Sequence, residues 1–244
     1  MNKNLYVENV GLNQEGRIID LAKSLHHHRI QNPCYGNYLL EEYPDTFMPI
    51  AQDLICTLEK DPHNHRLYMI CKGTQKDLGY ILMKNYSEKI IDDPVTGNSN
   101  VDGTIPNLEA SYRTTQSGLC SDALRHVIMD LFTSPNHSHI KVILGHHAKD
   151  NIASGMVFHG NGFAGLRYHQ DYVNLPNLNG GEMTDTIMWR LDMDTFHSDI
   201  SKYACHLSLK KYLKNNPVRI KSPNGCGPKI QHWRDSALLS KSAK

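Results

Sequence analysis

The sequence predicts an α/β (α+β) domain in which a strand hairpin is followed by alternating strands and helices. Two observations carry this. Arg66-Leu-Tyr-Met-Ile-Cys71 and Leu78-Gly-Tyr-Ile-Leu-Met83 are apolar runs separated by a short loop containing Gly73, as a hairpin requires. After Gly118, the residues Leu119, Ala123, Leu124, Val127, Ile128 and Leu131 share one helical stripe. That helix lies between two strand-like runs, Leu108 to Tyr112 and Ile140 to Leu144. Helices segregated among strands in this way point to a sheet with helical cover.

The remaining elements follow in order. Leu5 to Val7 reads as an opening strand, and Glu15 to about His28 as an amphipathic helix with Ile18, Leu21, Ala22 and Leu25 inward. Gln31 to Gly36 has turn chemistry, and a second helix is expected from near Thr46 to Glu59, with Pro49 in its first turn. Residues 87–106 are polar and turn-rich, which predicts a long loop. Asn151 to His159 is expected to be helical. Phe163 to about Val173 and Thr184 to Met193 would be two final strands. Beyond His197, the positions of Ile200, Tyr203, Ala204 and Leu207 predict a docked helix to about Leu213, before a Pro/Gly loop from Pro217 to Pro228. The expected division is therefore a domain over 1–196 and a C-terminal helical and loop extension over 197–244.

A chain of 244 residues can bury a core without disulfides or a structural metal. Its six cysteines form no C-x-x-C pair, and Cys56 and Cys71 lie in apolar runs, where a thiol behaves as a small hydrophobe. That usage, the lack of an apolar secretory leader and the lack of a run of about 18 apolar residues predict a cytoplasmic protein without a membrane partner. The net charge of +1 is unevenly placed: ten Lys/Arg against two Asp give +8 after residue 196, leaving −7 on residues 1–196. An acidic body suits a cationic acceptor such as an amine. Nucleic acid is not the expected partner, although the basic tail could meet an acidic surface. The histidine clusters lack carboxylate or cysteine partners at ligand spacing, and Cys205, His206, Cys226 and His232 match no zinc pattern, so no metal is expected.

The most informative stretch is Ala148-Lys-Asp-Asn151-Ile-Ala-Ser154-Gly-Met-Val-Phe-His-Gly-Asn-Gly162-Phe163-Ala-Gly165. Asn151 and Ser154 stand over the first turn of a helix, where backbone donors collect, and Gly160 and Gly162 bracket its end. About thirty residues earlier, Leu108-Glu-Ala-Ser-Tyr-Arg-Thr-Thr-Gln-Ser-Gly118-Leu-Cys-Ser121 runs strand, polar loop, helix. A helix start of this kind holds anions through its backbone N–H groups, and Gly118 allows close approach.

Together these stretches resemble the acyl-CoA site of Gcn5-related N-acetyltransferases, most of all the RimJ/RimL-type branch. The resemblance covers about residues 5–195 and is strongest over 108–191. It implies a mixed, mostly antiparallel central sheet flanked by helices. It also implies acetyl-CoA as co-substrate and a primary amine of a small molecule, protein N-terminus or lysine as acceptor. The cofactor-binding positions carried over are Ala110, Tyr112, Gln116, Ser117, Gly118, Leu119, Cys120 and Ser121 around the loop, with Asn151 and Ser154 on the later helix. The family loop reads Gln/Arg-x-x-Gly-x-Gly/Ala; here Gln116 stands one place late and Cys120 replaces the second small residue. Ser154 matches the hydroxyl that in some members protonates the leaving thiolate; simple helix-end hydrogen bonding is the alternative. For proton removal from the amine the candidates are Asp171, followed by Tyr172, and Glu109 on the strand entering the loop; a mechanism without a dedicated side chain stays open. Asp185 reads as structural. His146 and His147 are read as a strand end, one of them close to the site or, more simply, partly in solvent.

The altered loop leaves a second class of function open: an acyl-CoA-binding module of little or no activity whose basic tail binds a partner. A third reading has the tail alone bind a partner or nucleic acid, with the body as scaffold. A strand-pairing homodimer is compatible with all three.

Overall fold

Alternate residues of the hairpin face two different cores, and this sets the architecture. The computed structural model describes residues 4–32, 45–85, 107–137, 139–174, 183–198, 220–221 and 229–230. Its strands are β1 (Leu5–Val10), β2 (Arg66–Lys72), β3 (Gly79–Asn85), β4 (Asn107–Thr114), β5 (Val142–Ala148), β6 (Ala164–Asn174) and β7 (Met183–Asp192). The helices are α1 (Glu15–Gln31), α2 (Met48–Lys60), α3 (Leu119–Thr133), α4 (Ile152–Gly160) and a short α5 (Met193–Ser198). The strands form one seven-stranded sheet in the order β1-β2-β3-β4-β5-β7-β6. Its neighbours are antiparallel except β4 and β5, which run parallel. The α/β (α+β) class and the mixed, mostly antiparallel sheet are borne out.

Side chains of successive strand residues point to opposite faces. Leu67, Met69 and Cys71 of β2, with Tyr80 and Leu82 of β3, pack with Ile18, Leu21, Leu25, Leu54 and Leu58 of α1 and α2. Tyr68, Ile70, Ile81 and Met83 point the other way, into a larger core with Leu124, Val127, Ile128 and Leu131 of α3. The hairpin is thus apolar on both faces because both are covered.

Most boundaries lie within a few residues of those expected. Three findings differ. The fifth strand was expected over Ile140 to Leu144 but runs from Val142 to Ala148, so His146 and His147 lie within it. A short helix at Met193–Ser198 follows the last strand directly, and its Phe196 is buried against Phe132 with ring centroids 5.3 Å apart. Cys56 is exposed on α2, whereas Cys71 is buried as expected. The expected loop over 87–106 and the helix expected beyond His197 lie outside the described residues. Within and just after the Pro/Gly stretch, Ile220–Lys221 pairs with Lys229–Ile230 as an antiparallel ladder (β8, β9). Among the described residues no helix is long and apolar enough to cross a membrane.

Candidate active site

The parallel pairing of β4 and β5 is short. Three residue pairs join them, ending at Glu109↔Leu144, although β4 continues to Thr114 and β5 to Ala148. Each strand stays paired on its other side, β4 with β3 and β5 with β7. The sheet therefore opens between them, and the opening widens toward the β4–α3 loop and the start of α4. The backbone groups of both strands beyond that rung have no partner in each other.

At the loop end, Gly118 precedes α3 with φ 79°, a left-handed conformation that glycine adopts readily. A Cβ built there would meet no atom within 4 Å. The first backbone N–H groups of α3 follow, at the positive end of the helix dipole. Thr114 Oγ1 donates to the Gln116 carbonyl at 2.8 Å, and Thr115 N and Oγ1 donate to the Leu78 carbonyl at 2.8 and 3.0 Å, which anchors the loop to β3. The Cys120 Sγ is 3.8 Å from Thr114 Oγ1, and burial pushes this thiol up to about 12 despite that contact. Cys120 is thus a neutral packing residue rather than a nucleophile.

The side chains of Ala110 and Leu119 point into the α3 core, so these two candidates have only backbone to offer a ligand. Ser121 is already engaged: Asn161 Nδ2 donates to its carbonyl and its Oγ at 3.1 and 3.2 Å, and to Val157 O at 2.8 Å. Asn161 is fully buried and ties the first turn of α3 to the end of α4. Sequence reading missed it; the glycines on either side, 160 and 162, marked only the helix end.

At α4, Asn151 is the N-cap, its Oδ1 accepting from Ser154 N at 3.3 Å. Tyr112 Oη reaches across from β4 to the Ser154 Oγ at 2.9 Å and the Ser154 carbonyl at 3.2 Å. Burial raises the Tyr112 pKa, more than the Ser154 hydrogen bond lowers it, so the phenol stays protonated. The hydroxyl of Ser154 therefore faces β4 and does more than close its own helix end.

Beneath α4, Phe158 lies over Gly145 of β5: a Cβ on Gly145 would fall 2.2 Å from the Phe158 ring. Tyr112, Phe163 and Trp189 surround that ring at centroid distances of 5.5, 5.2 and 6.3 Å. A glycine inside a strand signals such a close approach, and here the sequence carried that signal unread. His147 also packs there, with Phe158 at 6.5 Å and Trp189 at 6.0 Å. Burial lowers its pKa to about 4, so it is neutral, and its Nδ1–H donates to the Ala148 carbonyl at 2.7 Å.

The opposite face of the opening carries a different pair. Leu108, Ala110 and Tyr112 face α3, so alternation turns Glu109 toward the α1 and α2 side of the sheet. His146 reaches it from β5, with Nδ1 3.1 Å from Glu109 Oε1. The His146 side chain is 12% exposed. Burial alone would raise the Glu109 pKa. The hydrogen bond and electrostatic interaction with His146, with the positive charge of Lys84, outweigh it and hold Glu109 below the usual carboxylate range.

Asp171 lies on β6, in the stretch between His169 and Val173 where pairing with β7 shifts register. Its side chain is outside the described residues. Asp185 forms an ion pair with Lys149, and Lys149 N donates to the Asp185 carbonyl at 2.9 Å, fastening β7 to the turn before α4. Among the described residues no cluster of three or more His, Cys, Asp or Glu could hold a metal ion.

No family model matches the chain, and no curated protein matches it in sequence. Solved structures do match its fold. The ribosomal-protein-S5-alanine acetyltransferase of Vibrio fischeri aligns with 79% of this chain and 94% of its own, at TM-score 0.55 and 13% identity. Spermidine N-acetyltransferase of Vibrio cholerae, solved with CoA and spermine, aligns with 80% of this chain and 99% of its own, at TM-score 0.54 and 12% identity. RimL, a ribosomal L7/L12 α-N-protein acetyltransferase solved with coenzyme A, aligns with 79% and 96%, at TM-score 0.54 and 15% identity. The chain shares the fold of these N-acetyltransferases.

Proposed function

We propose that the chain is an acetyl-CoA-dependent N-acetyltransferase acting on a primary amine of a small molecule or protein. The observation that carries this is the opening between β4 and β5 beyond Glu109↔Leu144, bridged by the Tyr112–Ser154 hydrogen bond. The shared fold is consistent with it. In this reading 1–196 is the catalytic domain, 197–244 a basic extension, and the site of action is the cytoplasm.

The roles assigned here rest on the resemblance to the acyl-CoA site, and the positions of these residues around the opening are consistent with them. Backbone N–H groups from Gly118 to Ser121 hold the pyrophosphate, with Gln116 and Ser117 beside it. Asn151 contacts the pantetheine arm, and Ser154 protonates the thiolate as it leaves. Glu109 lies on the opposite face, where an amine can approach without displacing the thioester. It is the base side of the site, with Asp171 on β6 the second candidate. Acid and base on opposite faces let the amine enter on one side and the thiol depart on the other.

The test is the melting temperature with saturating acetyl-CoA, followed by thiol release with a panel of amines. Ligand at about 100 times its Kd adds roughly 2.7 kcal/mol, and each kcal/mol is worth about 2–4 °C at this size. A rise of about 5 °C or more is expected, lost in Gly118→Trp. An unchanged melting temperature in the wild-type chain would sink the reading.

A further inference from the structure

The turn after β1, the C-terminal end of α2 and the segment after α3 converge on the start of β2, around a cavity of about 630 Å³. That volume takes a whole small molecule rather than a single ion. Its ionisable lining is basic throughout. Arg66, His63, His65 and His137 line it, two Asn and one Gln add amides, and none of the lining residues is a carboxylate. Val10, Leu58 and Pro62 supply an apolar wall. The cavity is remote from the acyl-CoA opening. The 15 residues of α3 run about 22 Å from the Gly118 loop to the turn that carries His137. Arg66 stands opposite Met83 of the α3 core, so it lies on the other face of the sheet from Glu109.

Arg66 carries the permanent charge of this cavity. Its Nη2 donates to the His63 carbonyl at 3.3 Å, which holds the guanidinium in place. Nη1 is buried, so a ligand would meet the half-buried side chain through its other atoms. Among the described residues no carboxylate forms an ion pair with Arg66. The carboxylates nearby are engaged elsewhere: Asp130 accepts from Tyr68 Oη at 3.0 Å, and Asp61 accepts from Asn64 and Asn85. Burial, and next the positive charge of Arg66, lower the His137 pKa against the opposing pull of Asp130. The charge of Arg66 thus acts on a second lining residue without being cancelled. We propose that this cavity is a second binding site, separate from the acyl-CoA opening, for a small organic anion. A phosphate or carboxylate head would lie against Arg66 and the histidines, a geometry suited to the guanidinium fork, with an apolar body along Val10, Leu58 and Pro62.

The test is titration of the full chain with phenyl phosphate, benzoate, inorganic phosphate and, as a cation of similar size, benzylamine, read from the histidine rings by NMR. At least one of the two aromatic anions should bind saturably, move the His65 and His137 resonances and raise the His137 pKa; the tighter of the two assigns the head group. Inorganic phosphate, without an apolar body, should bind about 10-fold or more weakly. Arg66→Met should weaken the organic anion about 10-fold or more. His63→Asp, at an exposed position outside both cores, should weaken it as well and covers the case of an Arg66 variant that fails to fold. No saturable shift with either aromatic anion, benzylamine moving the same two rings as strongly, or an unchanged affinity in both variants would overturn the site. Inorganic phosphate binding as tightly as phenyl phosphate would overturn the organic body. These arms read binding alone, so they stand apart from whether the chain acetylates an amine.

Discussion

Tyr112 and Ser154 lie 42 residues apart and meet at 2.9 Å across the opening between β4 and α4. The contact fixes the helix that carries the hydroxyl relative to the strand that enters the loop. Tyr112→Phe keeps the ring on Phe158 and removes only this tie. The variant should lose about 1 kcal/mol, or about 2–4 °C. It should also slow acetyl transfer, and Ser154→Ala added to it should cost less than Ser154→Ala alone. Steady-state rates on the two single variants and the double variant measure this. Fully additive losses would mean that the hydroxyls do not act together.

Gly145 leaves room for the Phe158 ring that no other residue can leave. Gly145→Ala should destabilise the chain by about 1–3 kcal/mol through overpacking. Phe158→Leu in the same chain should recover part of that loss, although Phe158→Leu alone destabilises. Denaturant midpoints decide it; a Gly145→Ala chain as stable as wild type would mean that α4 moves aside at little cost.

The buried His147 gives stability a pH dependence with a definite sign. Burial depresses its pKa to about 4 in the folded chain, against about 6.5 for an exposed imidazole. Between those values the unfolded chain binds more protons, so stability is full above about pH 6.5 and is lost as pH falls toward 4. The full span is on the order of 3 kcal/mol. Unfolding free energies at several pH values should show a shallower fall in His147→Phe than in wild type. Equal slopes would assign the acid sensitivity to other groups.

Asn161 joins the start of α3 to the end of α4 through three donated contacts. Asn161→Leu strands the acceptors at Ser121 and should cost about 1–3 kcal/mol. Because α3 opens with the loop assigned to the pyrophosphate, acetyl-CoA affinity should fall with stability. Calorimetric titration of the variant checks this, and unchanged affinity would separate the fold from the binding loop.

The sequence was most legible where burial writes a period. The α3 stripe, the hairpin and the two final strands were read within a few residues of their bounds, because each must fill one or two cores. The site was legible as a place, through Gly118, Asn151 and Ser154, since helix starts have local chemistry. Partners across the opening were not. Tyr112 was named for the cofactor, with no sign that it would reach Ser154. His146 reads from the sequence only as a strand-end histidine beside the site, with no sign of its carboxylate partner 37 residues away. Such pairs depend on a parallel register that no local pattern encodes. Gly145 shows the converse case: its signal was local, but its meaning required Phe158.

Because β4 and β5 part after three rungs, the sheet has four edges rather than two. The outer two, β1 and β6, face away from the sheet, while the inner two face each other across a slot. Exposed edges invite pairing with other chains, but a slot narrowing to its last rung admits only something slender. A ligand with amides along its length could pair with both inner edges and stitch β1–β4 to β5–β7. Amide exchange along β4 and β5 would then slow on both sides of the slot when the ligand binds, far beyond the residues that touch its phosphates.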